Sequence, residues 1–214
     1  MSSKANNAPF QVNHPDDVRN VVLVGNAGSG KTSLFEQLLL ARTPGYRGEK
    51  DTPERLSQLY LASLQNGDVL INLLDAPGHP DFVGELRAGL RAADAAIFVV
   101  SAADDLDAAT RALWAECAAA GIPRVIALTK LDAAHDDFDV VVEGLKDAFG
   151  AGVLPSHVPV GVRGGITGTV GVLSRRFRDY RSGAPVLTEA DADHEALVEP
   201  YRGPLLEGLS EEAE

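Results

Sequence analysis

Eight consecutive residues, Gly25-Asn26-Ala27-Gly28-Ser29-Gly30-Lys31-Thr32, fit the pattern G-x-x-x-x-G-K-[ST]. Glycines at these places let successive backbone N–H groups turn inward around an anion. A helix opening at Lys31 adds the positive end of its dipole. Lys31 is expected to span the β- and γ-phosphates of a nucleotide, the Thr32 hydroxyl to bind Mg2+, and Ser33 to close the phosphate-binding set. Further on, Asp75-Ala76-Pro77-Gly78 offers an acid that reaches the magnesium through water and a Gly78 N–H that senses the γ-phosphate. In Thr129-Lys130-Leu131-Asp132, the Asp132 carboxylate can accept two hydrogen bonds, from the guanine N1–H and amino group, which adenine cannot supply. Lys130 packs its stem over the base and braces the loop, with Thr129 and Leu131 completing the guanine-binding segment. Asp-x-x-Gly and Lys-x-Asp are each common by chance. Three motifs in this order, each at the carboxyl end of a strand, point to a guanine-nucleotide site.

The elements that must position these residues are legible from apolar spacing. Val21-Val22-Leu23-Val24 is a continuous apolar run ending at Gly25, as expected of a strand buried on both faces. Leu34, Phe35, Leu38 and Leu39 predict a helix from Lys31 to about Arg42, and Thr43 to Glu54 reads as a surface loop. Leu59–Leu64 and Val69–Leu74 are β-like runs joined across Asn66-Gly67, predicting an antiparallel hairpin. Pro80 opens a helix carrying Val83, Leu86 and Leu90. Strands over Ala95–Val100 and Val125–Leu128 flank a helix that Asp104, Asp105 and Asp107 favour at its start and that ends near Gly121 and Pro123. Phe138, Val141, Val142, Leu145 and Phe149 share a helical face ending at Gly150. The alternation predicts an α/β fold of the P-loop NTPase type: three layers around a mostly parallel sheet with one antiparallel edge hairpin.

The pattern changes near Val153. Val158, Val160 and Val162 alternate, five glycines fall between Gly161 and Gly171, and an acidic, proline-containing loop precedes a last helix from about His194. The expected organisation is a disordered N-terminal segment over 1–17, a GTP-binding domain over 18–152, and a small α+β subdomain over 153–214. Arg175 to Arg181 interleaves basic and aromatic residues and reads as an exposed edge strand whose charges block aggregation. Trp114 and Cys117 read as core.

Net charge is −12, from 31 acidic and 19 basic residues, the wrong sign for a domain gripping nucleic acid by its phosphates. One cysteine and five histidines make a disulfide framework or a zinc cluster improbable. With no apolar stretch long enough to cross a bilayer, the reading is a soluble, cytoplasmic protein with no DNA or membrane partner, acting as a monomer.

Asp75-Ala76-Pro77-Gly78-His79-Pro80-Asp81-Phe82 resembles the Asp-Thr-Pro-Gly-His-x-Asp-Phe segment of translational GTPases. The following Val83 to Asp94 looks most like the elongation factor G-like branch, and the resemblance covers about residues 18–214. It implies GTP or GDP with Mg2+ as ligands, and ribosome-coupled GTP hydrolysis in a full-length parent. His79 then positions the attacking water; a plain helix-cap role is the alternative. A switch that holds nucleotide with little turnover, or a ribosomal-protection or release-factor type of GTPase, also fits. Residues 153–214 resemble the insert that elongation factor G carries in its G domain, with Gly164 to Val170 as its glycine-rich hairpin and Tyr201 to Glu214 as its acidic helix. The chain is expected to stop before the last guanine-binding loop. Asn26 stands where the family has histidine, and Thr129 where it has asparagine. With no Arg-Gly-Ile-Thr segment present, Ser57 is the candidate for the further magnesium-binding hydroxyl; Arg47-Gly48 with Thr52 lies too far ahead of the hairpin.

Overall fold

The computed structural model describes residues 12, 14–48, 57–161 and 165–211. Thr52, Val162 and Gly164 lie outside the described residues, as do Met1–Gln11. The described residues up to Ser101, with Asp107–Thr129, form one compact unit, and Ala102–Leu106 with the described residues from Lys130 onward form another.

The first unit is built on a five-stranded sheet. Its strands are β1 (Val18–Val24), β2 (Tyr60–Asn66), β3 (Val69–Asp75), β4 (Ala95–Ser101) and β5 (Arg124–Thr129), in the order β2-β3-β1-β4-β5. β1 pairs in parallel with β3 and β4, β4 pairs in parallel with β5, and β2 is the antiparallel edge. Successive side chains of a strand point to opposite faces, and β1 shows what covers each. Leu23 is fully buried in a cluster with Phe35 and Leu39 of α1 (Lys31–Arg42). Its neighbour Val22 faces α2 (Val83–Ala92), where a β-carbon on Gly89 would stand 3.2 Å from the valine. Helices therefore cover both faces, the layering that continuous apolar strands demand.

The hairpin is present, but its turn is shifted by one residue. Asn66 pairs with Val69, so the loop is Gly67-Asp68. Only Gly67 has positive φ, 62°, which is the demand of a turn with glycine at the first central position. Residues 15–17, at the end of the segment expected to be disordered, form a 3-10 turn capped by His14. In α3 (Ala108–Ala119), Cys117 is fully buried, and burial pushes its thiol up to about 12. Trp114 is half-buried, edge-on to Phe98 at 5.2 Å, with the Arg124 guanidinium 4.7 Å over its ring.

The second unit holds α4 (Phe138–Phe149) and an antiparallel sheet, β6 (His157–Val160), β7 (Gly168–Gly171), β8 (Arg176–Asp179) and β9 (Val186–Glu189), in sequential order. Val158, Val170, Val172 and Phe177 pack with Val198 and Leu205 of α5 (Ala192–Glu211), a helix that runs through Pro200 and Pro204. Two expectations are corrected here. The acidic, proline-containing loop contains a strand, β9, because Val186, Leu187 and Thr188 extend alongside β8. β8 is consequently an inner strand, not an edge. Three of its segment's four arginines are paired within the unit: Arg175 with Glu195, Arg176 with Glu189, and Arg181 with Asp179. These charges balance neighbours instead of guarding an open edge.

Candidate functional site

The phosphate loop leaves β1 at Val24 and enters α1 at Lys31. Gly28 and Gly30 have φ of 81° and 88°, which a β-carbon would oppose, and Gly30 is the N-cap of α1 with no side chain to offer. Gly25 is pressed against the strand next door; its β-carbon would fall 2.4 Å from the Val99 carbonyl oxygen. Thr32 is half-buried, and Ser33 is exposed on the first turn.

Asp75 ends β3 in register with Leu23 of β1, so its carboxylate reaches the loop from the adjacent strand. Lys31 Nζ stands 3.1 Å from Asp75 Oδ1, with only 8% and 2% of the two residues exposed. The contact is electrostatic without being directional: Asp75 Oδ1 receives no well-aligned hydrogen bond, and neither does the buried Ser29 Oγ. Buried polar atoms are almost always satisfied. An unsatisfied carboxylate oxygen beside a buried cation, with a second unsatisfied oxygen on the phosphate loop, is what a phosphate-and-cation ligand would complete, so the donor set fits a magnesium nucleotide.

Two side chains anchor the loop. Asn26 accepts the Ala27 N–H at 2.8 Å through Oδ1 and donates through Nδ2 to Asp107, 3.3 Å from Oδ2. Asp107 is also the N-cap of α3, taking the Thr110 N–H at 2.7 Å. Thr129, at the end of β5, donates its hydroxyl to the Ser29 carbonyl at 2.6 Å. Sequence reasoning missed the part played by Asp107, since nothing local connects it to a residue 81 positions away.

The Asp107 carboxyl is held below its ordinary value, chiefly by the Thr110 backbone N–H, with further help from Asn26. A depressed carboxyl contributes its stability above the unfolded value and loses it as pH falls through the folded one. Asp107→Ala is expected to lower unfolding stability by about 0.5–2 kcal/mol at neutral pH, while Asp107→Asn keeps most of the cap. Urea unfolding at neutral pH checks this, and the deficit of the alanine variant should shrink in acid below the usual carboxylate range.

Gly78 is buried and leans on the phosphate loop: its β-carbon would meet Gly25 O at 2.5 Å and Ala27 N at 2.8 Å. His79 follows as N-cap of the 3-10 turn Pro80–Phe82, its Nδ1 accepting the Asp81 N–H at 3.3 Å. In that role Nδ1 is the unprotonated nitrogen, which leaves Nε2 as the donor. More than half of the His79 side chain is exposed. α2, which comes next, is tied to α3 by two hydrogen bonds from Arg87 to Glu116, at 2.8 and 2.7 Å. Ser57 is half-buried in a helical turn before β2.

In the second unit, Lys130 adopts the left-handed conformation, with φ 53°, and its Nζ lies 3.4 Å from Asp104. That conformation starts the turn Leu131–Ala133, on which Leu131 is half-buried and Asp132 exposed. No ion pair or hydrogen bond to a described residue engages the Asp132 carboxylate.

A phosphate loop between β1 and α1, an acid ending the adjacent parallel strand and helices on both faces define a P-loop NTPase fold. Comparison with known proteins agrees. Residues 16–207 match the family model described as the elongation factor Tu GTP binding domain, and the chain belongs to that family. It is 43% identical, over 94% of its length, to an elongation factor G-like protein of Mycobacterium tuberculosis, in both strain CDC 1551 / Oshkosh and strain H37Rv. A crystal structure from Thermus thermophilus superposes with a TM-score of 0.79 at 33% identity over 88% of the chain. The chain spans 30% of the length of each of these relatives.

Proposed function

We propose that this chain is the GTP-binding part of an elongation factor G-like factor whose full-length form hydrolyses GTP in step with ribosome binding in the cytoplasm. The observation that carries the reading is the buried Lys31–Asp75 pair, which sets a cation and an incompletely satisfied carboxylate at the phosphate loop. Residues 25–33 with Gly78 would hold the phosphates, and Thr32 and Asp75, with Ser57 as a further hydroxyl, would hold Mg2+. When bound, Mg2+ supplies neutralising charge at the β- and γ-phosphate oxygens. Lys130 and Asp132 would take the guanine. Residues 18–152 act in this reading as the G domain and 153–214 as its insert. Competition between GTP and ATP tests the proposal: equal affinity for the two would overturn it.

For hydrolysis, His79 would orient water, through the Nε2–H left by its Nδ1 contact with Asp81. His79→Ala in the full-length parent is expected to remove most of the ribosome-stimulated turnover while leaving GDP affinity nearly unchanged. An unaltered rate would leave His79 as a helix cap only. The second reading is a nucleotide-holding switch with little turnover of its own, supported by the lack of an Arg-Gly-Ile-Thr segment in the sequence. Turnover with and without ribosomes separates the two.

A further inference from the structure

β8 carries a row of basic and aromatic side chains that the nucleotide site does not use. Phe177 points to the core side of the sheet, stacked on His194 of α5 with ring centroids 4.1 Å apart. Side chains alternate along a strand, so Arg176 and Arg178 point to the opposite face. The Tyr180 N–H donates to the Thr167 carbonyl at 2.9 Å, which continues the pairing one residue past β8 and puts Tyr180 on that face too. Residues two apart on a strand stand about 6.6 Å from each other, so the three form an evenly spaced row.

Both arginines are exposed, and Tyr180 is 40% exposed. The Tyr180 hydroxyl shares a hydrogen bond with Thr169 Oγ1 at 3.2 Å, and Thr169 is the β7 residue paired with Arg178. A phenol tied down at its hydroxyl lies along the sheet beside Arg178 and shows a ring face to solvent. Among the described residues no ion pair engages Arg178, and its cross-strand neighbours Thr169 and Leu187 carry no charge. Arg176 is held loosely, 3.7 Å from Glu189 on the edge strand β9. Since β8 is an inner strand, these cations guard no edge.

We propose that this face binds single-stranded RNA, with Arg176 and Arg178 on phosphates and a base stacked on Tyr180. An acidic protein would use the arginines and gain nothing from the pinned ring. A nucleotide strand uses both, because every base has a face to lay on an aromatic side chain and a phosphate on either side of it. RNA is the strand that an elongation factor meets, and the chain belongs to that family. Two cations make a small footprint on a chain of net charge −12, so the contact is short, weak and salt-sensitive.

The test is fluorescence anisotropy of a labelled oligouridylate of about ten nucleotides, titrated with the whole chain across a salt series. Binding should be saturable at low salt, and log affinity should fall against log salt with a slope of about −1.4, the value for two phosphates of a single strand. Arg178→Ala should bring the slope to about −0.7, and Arg178→Lys should keep it. Tyr180→Ala should weaken binding about five- to hundredfold at an unchanged slope, while Tyr180→Phe keeps the ring and most of the affinity. Urea midpoints show which variants keep the fold. If Tyr180→Ala disturbs the sheet, the alanine and lysine variants of Arg178 carry the test.

No saturable binding at low salt would overturn the inference. Binding that the Arg178 and Tyr180 variants leave unchanged would also overturn it, since the strand would then sit elsewhere. Oligoglutamate of the same length is the competing probe. If it displaces the RNA and its own binding falls equally with Tyr180→Ala, the face belongs to an acidic protein instead. None of these readouts involves GDP, so failure here leaves the nucleotide reading standing.

Discussion

Lys31→Met should cost the protein stability before any nucleotide is added. Methionine keeps most of the aliphatic volume of lysine, so packing around the loop changes little. What it removes is the only cation seen next to Asp75 among the described residues, and Asp75 is 2% exposed. Water cannot reach that carboxylate to replace the lysine, so surface screening offers no relief. Breaking one partner of a buried pair typically costs about 3–5 kcal/mol, because the other is left charged and unsolvated. Urea unfolding without nucleotide should show a loss of this order. The double variant Lys31→Met with Asp75→Asn should recover much of it, since the stranded charge is then gone. Both variants should lose affinity for GDP and GTP alike. A single variant that unfolds at the parent's midpoint would mean the pair carries no stability and that the carboxylate finds another partner.

Asp132→Asn should leave the fold untouched and change the preferred base. Asp132 is exposed, and no described residue binds its carboxylate, so the stability change belongs to the roughly ±0.5 kcal/mol typical of surface substitutions. Binding is another matter. The carboxylate is an acceptor at both oxygens, matched to two donors of guanine; the amide offers one donor and one acceptor. Xanthine, with an oxygen at C2, needs that donor. Hydrogen bonds to a charged group are worth about 1.5–3 kcal/mol each, so GDP should weaken about tenfold to a hundredfold or more while XDP gains. Competition of GDP, XDP and ADP against one labelled nucleotide reads the result. A variant that still prefers GDP over XDP would remove Asp132 from the base pocket.

The parts of this molecule that obey local rules were legible without coordinates. α1, α4 and the strands around them follow from apolar spacing, and Gly150 ends α4 where the pattern stops. Lys31 and Asp75 could each be recognised by what they would do to a ligand. Their attachment to each other could not, because a motif describes chemistry toward a ligand and says nothing of how its own charges rest without one. Asn26 and Asp107 meet only through the β1–β4 neighbourhood, a long-range consequence of strand order. The hairpin slipped by one residue for a smaller reason. Asn66-Gly67 and Gly67-Asp68 are both good turn pairs, and the pairing of Tyr60 with Asp75 selects between them. β9 was hidden by its composition, since exposure of all four of its residues removes the alternation that marks a strand.

Gly78 meets the phosphate loop backbone to backbone, with Gly25 and Ala27 where a side chain would otherwise stand. Side chains cushion most contacts inside a protein, since they can change rotamer and absorb a displacement. This contact has no such give. A shift of the chain after β3 would therefore press on the loop directly, like one cog turning another. A glycine here acts as a hard coupling, and a larger residue would first have to prise the two loops apart.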